Sequence, residues 1–265
     1  MSDSAISGLV PHQIPYVVNG RQRAVFLPPG DNVIAHATQT LRWWELEQAL
    51  VLYSAAKNST PEGSFVDVGA NIGTSTILAS YAFDRFVAFE MDPRNLDYLR
   101  RNLELNGLNC EIHPHAVSDR SGQALRAKRN PNNHGATQIA VEGEPADFDV
   151  TTLALDDVAR SHPIAFLHVD TQGMDVKVLA GLQRYLSTHR PYIQIEFSPK
   201  LMQEQSCGMA ELSDFIRRYG YGIYLRAPHQ LGRVSLAIVE ELFTLWRDDP
   251  LAPWTDLILI PQAAA

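Results

Sequence analysis

Apolar residues follow a helical rhythm from Leu41 to Lys57, where Trp44, Leu50, Tyr53 and Ala56 lie near one face and Glu45, Gln48 and Lys57 do not. This predicts a helix, ended by Pro61-Glu-Gly63. Short apolar runs then alternate with helical stretches. Phe65 to Val68 reads as a strand, Thr74 to Ala82 as a helix and Phe86 to Glu90 as a second strand. Asp92-Pro93 opens the next helix, because Asp caps and Pro suits the first helical position; Leu96, Leu99 and Leu103 recur along it, and Asn106-Gly107 closes it. A third strand fits Glu111 to Val117. A fourth fits Ile164 to Val169, before a helix bearing Met174, Val178, Leu182 and Tyr185, and a fifth fits Pro191 to Phe197. Beyond Gly208 a helix with Leu212, Phe215, Ile216 and Tyr219 leads to Gly220-Tyr-Gly-Ile-Tyr-Leu225, and Leu257-Ile-Leu-Ile260 forms the last strand.

Strands joined by helical crossovers of fixed hand close naturally into a doubly wound, Rossmann-like α/β sheet, here expected to be mostly parallel and seven-stranded. Residues 1–60 read as an N-terminal extension and 61–265 as the main domain. Residues 118–150, rich in Asn, Gly, Pro and Arg, break the rhythm and read as an insertion or lid.

Composition narrows the classes. The 265 residues are 45% hydrophobic and 20% charged, which excludes a disordered chain, and a formal charge of −8 argues against general nucleic-acid binding. The sequence shows neither a signal-type N-terminus nor a membrane-length apolar run, so a cytoplasmic protein without a membrane span is expected. Cys110 and Cys207 lack zinc-site spacing and read as packing residues. Within the insertion, Arg120, Arg126, Lys128 and Arg129 either hold an anionic group of a substrate or form a solvated loop.

The candidate chemistry begins at the first strand end. Asp67-Val-Gly69-Ala70-Asn71-Ile-Gly73-Thr74 places small residues where the chain must turn sharply and feed a helix N-terminus, whose free N–H groups suit a carboxylate. The spacing is Gly-x-x-x-Gly rather than GxGxxG, which favours a methionine-type cofactor over a dinucleotide. Glu90, followed by Met91, ends the second strand, where an acid can accept hydrogen bonds from ribose hydroxyls. Ala116 and Val117, after the third strand, stand where backbone groups could hold an adenine edge.

With these residues in view, the chain resembles the FkbM family of S-adenosylmethionine-dependent methyltransferases. The match runs through Phe65 to Gly73, Phe89-Glu90, Asp92-Pro93-Arg94-Asn95, Leu103-Glu-Leu-Asn106, His115-Ala-Val-Ser118, Leu155-Asp156-Asp157, His168-Val-Asp170 to Gly173, Val178-Leu-Ala-Gly181 and Ile195-Glu196. Where the family pattern has Asp-x-x-Gly and then an acid, usually Glu, this chain has Asp170-Thr-Gln-Gly173-Met-Asp175. The resemblance implies a class I methyltransferase fold, S-adenosylmethionine as cofactor and, usually, O-methylation of a sugar or other natural-product small molecule.

Asp170 and Glu196 end neighbouring strands, so their carboxylates are expected to face one another, with Asp170 also beside the cofactor. One would serve as general base, or the two would share Mg²⁺; the metal-free version is preferred, and helix capping by Asp170 and loop ordering by Glu196 is the alternative. His134 is a lid residue over the methyl group or a turn histidine, and His168 a hydrogen-bonded core histidine. Trp43 and Trp44 either stack on a sugar or serve packing and surface contact, which leaves room for a homo-oligomer. Two competing functions stand beside the methyltransferase: an NAD-linked oxidoreductase on a related sheet, and a non-catalytic cofactor-binding or assembly protein.

Overall fold

An antiparallel hairpin, β1 (His12–Val18) and β2 (Arg21–Val25), precedes α1 (Trp43–Ser59) and a first βαβαβ run: β3 (Ser64–Val68), α2 (Thr74–Ala79), β4 (Phe86–Phe89), α3 (Pro93–Leu105) and β5 (Cys110–His113). This is a computed structural model, and it describes residues 9–30, 43–131, 133–159, 163–227, 230–249, 251 and 254–262; within these ranges the side chains of Tyr16, Trp43, Trp44, Glu45, Ala227 and Gln230 are not described. The expected roles of the Trp43 and Trp44 rings therefore lie outside the described residues.

Four short strands follow: β6 (Ala116–Val117), β7 (Ala124–Asn130), β8 (Asn133–Ile139) and β9 (Phe148–Leu153). The return half is α4 (Leu155–Val158), β10 (Ile164–Val169), α5 (Asp175–Ala180), α6 (Gln183–Leu186), β11 (Tyr192–Phe197), α7 (Pro199–Glu204), α8 (Met209–Tyr219), β12 (Tyr221–Ala227), β13 (Gln230–Val234), α9 (Leu236–Trp246) and β14 (Thr255–Pro261).

The main sheet runs β13-β12-β14-β11-β10-β3-β4-β5. Its strands are parallel from β5 to β11 and antiparallel from β11 through β14 and β12 to β13. This is the expected Rossmann-like, mostly parallel architecture, with eight strands instead of seven. The added strand is β13, which turns back on β12 as a hairpin. A second departure is at Pro114: the single strand expected over Glu111 to Val117 breaks there, because proline has no N–H for the ladder. Ala116 and Val117 instead pair with Thr152 and Leu153 in a separate sheet of order β6-β9-β7-β8. Residues 118–150 thus contain a small sheet of their own.

Side-chain alternation assigns the two faces of the main sheet. Val66, Val68, Leu167, Val169, Ile193, Ile195, Leu257 and Leu259 point to one face, packed against Leu155, Val178, Leu179, Met202, Leu212, Phe215 and Val239 of the return half. Phe65, Phe166 and Ile258 point to the other, under Leu52, Tyr53 and Ala56 of α1. There Phe65 and Phe166 stack at 5.6 Å and Tyr53 meets both edge-on, a geometry that adds about 0.5–1.5 kcal/mol per pair to the burial itself. The N-terminal hairpin is stitched to α3 by two amides. Asn102 accepts from the Phe26 N–H at 2.6 Å and donates to the Ile72 carbonyl at 2.8 Å, while Asn106 accepts from Ala24 N–H and donates to its carbonyl. Among the described residues no helix is long and apolar enough to cross a membrane.

Candidate functional site

Strands β4, β3 and β10 end side by side, and the chain leaving each one builds a wall of one cleft. Gly69, Asn71, Glu90, Met91, Ala116, Val117, Asp170 and His134 line it, all of them candidates from the sequence. Asp67, Ala70, Gly73, Thr74 and Glu196 are not in its lining. Asp67 is fully buried, accepts from Thr76 Oγ1 at 2.5 Å and pairs with His168 Nδ1 at 2.9 Å, so it ties the turn together instead of facing a ligand. The α2 helix has only six residues and Gly73 as its N-cap, so a carboxylate site on its first turn gains no support from the geometry.

The glycine turn has a second reason for its composition. Gly69 has φ +83°, and a Cβ there would lie 1.9 Å from the Asp170 carbonyl oxygen. The strand ends of β3 and β10 close on each other only because that atom is missing. Asn71 and Gln172, both lining the cleft, also adopt left-handed backbone, at φ 53° and 54°. Such residues are uncommon outside glycine and cluster at functional sites.

At the β4 end, Glu90 is buried. Its Oε2 accepts from the Asn71 N–H and its Oε1 from the Asp92 N–H, each at 2.7 Å. Burial pushes its pKa up to about 7 despite these donors. Asp92 caps α3 and carries the contact to the second sheet: Arg129 Nε and Nη2 donate to its two oxygens at 2.8 Å, Arg94 joins at 3.1 Å, and Thr137 donates at 3.2 Å. Burial opposes ionisation, but the guanidinium groups of Arg129 and Arg94 win and hold its pKa at about 2. Arg129 also lies 4.5 Å over the Phe148 ring. Two further bonds fasten β8: Asn95 Nδ2 donates to the His134 carbonyl at 3.0 Å and Gln205 Nε2 to that of Ile139 at 2.8 Å. The insertion therefore forms a roof whose His134, Gly135, Thr137 and Ile139 face the cleft.

The basic cluster does not form one surface. Alternation along β7 turns Arg129 inward to Asp92, while Lys128 pairs with Glu144 at 2.7 Å and Arg120 with Asp119 at 3.2 Å. A shared anion site for these residues is not what the fold builds. His134 meets Tyr98 edge-on at 6.4 Å, which places its ring toward α3.

At the other end, Asp170 and Glu196 come together as expected from the neighbouring strands. Gln172 Nε2 donates to Asp170 Oδ1 at 2.9 Å and to Glu196 Oε2 at 3.1 Å, a bridge with no sequence signature. Burial pushes both carboxyls up. For Glu196 the charge of Asp170 adds to burial; for Asp170 the neighbouring His168 and the Gln172 amide pull the other way. Two carboxyls this close share a proton as a unit. His168 is the core histidine expected: burial lowers its pKa, but Asp67 and the nearby Asp170 and Asp256 together raise it. Asp175 accepts from the Gly173 and Thr171 N–H groups and so shapes the turn that carries Gln172; burial and Asp170 push it up to about 7.

Sequence reasoning missed Asn95, Thr137, Ile139, Thr171, Gln172 and Met174 in the cleft wall. Of the residues lining it, Asn71 Oδ1, Asn95 Oδ1, His115 Nδ1 and Thr171 Oγ1 are buried without a hydrogen-bond partner among the described residues.

A family model described as Methyltransferase FkbM domain matches residues 67–223, more than half of the chain. No curated protein matches. Among solved structures, the chain is similar to the methyltransferase FkbM of Methylobacillus flagellatus KT, with 19% identity, 86% of this chain and 52% of that one covered, and a TM-score of 0.47. It thus spans about half the length of that protein. It is also similar to a precorrin-6y C5,15-methyltransferase of Geobacter metallireducens GS-15 (12% identity, 81% and 88% covered, TM-score 0.43) and to an rRNA methylase of Streptococcus thermophilus (11%, 82% and 95%, 0.44). At these TM-scores the likenesses carry no argument of their own, and the family rests on the sequence model.

Proposed function

The chain belongs to the FkbM family of methyltransferases, and from that premise we propose that it is an S-adenosylmethionine-dependent O-methyltransferase acting on a hydroxyl of a sugar or other natural-product small molecule. The observation that carries this reading is the placing, in the wall of one cleft, of a buried acid held by fixed main-chain donors, Glu90, and of Asp170, which Gln172 bridges to Glu196 on the next strand.

The cleft fits the cofactor by its unsatisfied atoms. Asn71 Oδ1, Asn95 Oδ1, His115 Nδ1 and Thr171 Oγ1 in its wall are buried without a partner among the described residues, and an unpaired buried polar atom costs about 1–3 kcal/mol until a ligand supplies a partner. Glu90, Asn71 and Gly69 would hold the cofactor at the β3 and β4 ends, with Met91, Ala116 and Val117 beside them and Asp170 across the turn. Bound S-adenosylmethionine supplies an electrophilic methyl group on a sulfonium.

The protein's own part is positioning and proton handling. Strand β8 covers one side of the cleft through His134, Gly135, Thr137 and Ile139, and the less water this roof admits with ligands bound, the stronger the electrostatic contacts inside. The Asp170–Glu196 pair takes the proton that an acceptor hydroxyl must release, with Gln172 keeping both carboxyl groups turned to one point. A shared carboxyl proton and an amide donor between the acids favour this base reading over a shared Mg²⁺.

The test is incubation with methyl-labelled S-adenosylmethionine and fractions of sugars, lipids and polyketides, with mass analysis of whatever gains a methyl. Label on a hydroxyl oxygen supports the proposal. Label on nitrogen or carbon, or binding of NAD in place of S-adenosylhomocysteine, overturns it.

A further inference from the structure

Asn95 is the third residue of α3 and is 1% exposed, yet it lines the cleft. Its amide is oriented without ambiguity: Nδ2 donates to the His134 carbonyl of β8 at 3.0 Å, and the flipped amide would set oxygen against oxygen. Oδ1 is then left buried with no partner among the described residues. An amide oxygen in that position calls for a donor from a ligand.

The surroundings say which kind. Glu90 and the unpartnered Asn71 Oδ1 line the same cleft, and the Asn71 N–H donates to Glu90, so three acceptors share its wall. The nearby guanidinium groups of Arg94 and Arg129 are committed to Asp92. Each Glu90 oxygen holds one main-chain N–H and keeps a lone pair for another donor. An anionic group such as a phosphate would meet repulsion from this set. A pair of adjacent hydroxyls, which donates twice, matches it.

We propose that Asn95 is a cofactor-binding residue that couples cofactor binding to the docking of the roof: its Oδ1 accepts from a ribose hydroxyl while its Nδ2 holds strand β8 through His134. The proposal rests on the reading that the cleft takes an S-adenosyl compound. One rigid amide makes both bonds, so ordering it for one favours the other. By linkage, whatever roof docking adds to cofactor affinity, the cofactor adds to roof docking. In the sequence Asn95 ends the family-like stretch Asp92-Pro93-Arg94-Asn95, but nothing there says that its amide serves two partners.

The experiment is calorimetry of S-adenosylhomocysteine and of its 2′-deoxy and 3′-deoxy analogues with the full chain and with Asn95→Leu and Asn95→Asp, paired with amide hydrogen exchange over residues 133–139. The full chain is expected to bind one deoxy analogue roughly tenfold more weakly than S-adenosylhomocysteine. Asn95→Leu should lose that discrimination together with about tenfold in affinity. Asn95→Asp keeps the acceptor and loses the donor, so it should still discriminate while the ligand no longer protects 133–139. If Asn95→Leu does not fold, Asn95→Asp carries the test alone. Equal weakening toward all three ligands means a structural role only and overturns the proposal, as does unchanged binding by a folded variant. If the full chain binds none of the three, the methyltransferase reading fails first, and this inference with it.

Discussion

Glu90 and Asp170 flank β3 in one cleft, with Glu196 next to Asp170 at the end of β11, and the two ends are buried in contrasting ways. Each oxygen of Glu90 already holds a main-chain N–H, from Asn71 and from Asp92, and neither donor can move without unmaking the turn or the α3 cap. Asp170 and Glu196 face each other across a single side-chain amide, that of Gln172, on a loop residue with left-handed backbone. The number and stiffness of the donors separate the two ends. An acid held by fixed donors is a preorganised acceptor, suited to binding; two acids short of donors must share a proton, and a shared proton is available for chemistry.

The contrast breaks most visibly in turnover. Asp170→Asn and Glu196→Gln keep shape and remove charge, and each is expected to lower the methyl-transfer rate by roughly 10²-fold or more once an acceptor is known. Wild-type rates in both variants would return these residues to a structural role. Next in size is the latch between the ends and the roof. Arg129→Ala leaves buried Asp92 with Arg94 and Thr137 beside it, and a loss of about 2–3 kcal/mol in unfolding free energy is expected, read by denaturant titration. A loss within error would mean that the roof is held by its apolar contacts alone.

The smallest effect sharpens the contrast through pH. Burial pushes Glu90 and Asp175 up to about 7 when folded, above the ordinary 4.5 and 3.8. A raised pKa in the folded state contributes stability that is fully present below the unfolded value and is lost as pH rises through the folded one. The ligand-free chain should therefore melt higher near pH ~5.5 than near pH ~8, with Glu90→Gln flattening the difference. Asp92 works in the opposite sense: its folded pKa of about 2 gives stability above the ordinary carboxylate range that disappears as pH falls through about 2. A melting temperature that rises steadily from pH ~5.5 to ~8 would contradict the buried-acid account.

Much of the frame was legible in the sequence because its signals are local. Glycine at 69, Asp92-Pro93 and the spacing to Glu90 each follow from what one stretch of backbone requires, and the strand-helix alternation orders the sheet through handed crossovers. The meeting of Asp170 and Glu196 was also readable, since neighbouring parallel strands end together. What was not legible depends on partners distant in the chain. Asp67 was expected to face the ligand and instead turns to Thr76 and His168, a choice made by register between β3 and β10. Arg129 looked like one of four cations in a loop, and only the pairing of β7 with β9 shows that it points inward to Asp92. Gln172 and Asn95 lie within stretches that resemble the family, but their roles were not legible, because these come from unfilled or shared hydrogen bonds that exist only after folding.

The division of labour between the two ends is tested most directly by calorimetry of S-adenosylhomocysteine with the unmodified chain, Glu90→Ala and Asp170→Asn. Saturable binding to the unmodified chain is expected, weakened roughly ten- to hundredfold in Glu90→Ala and little changed in Asp170→Asn. Equal losses in the two variants, or binding indifferent to Glu90, would contradict the account.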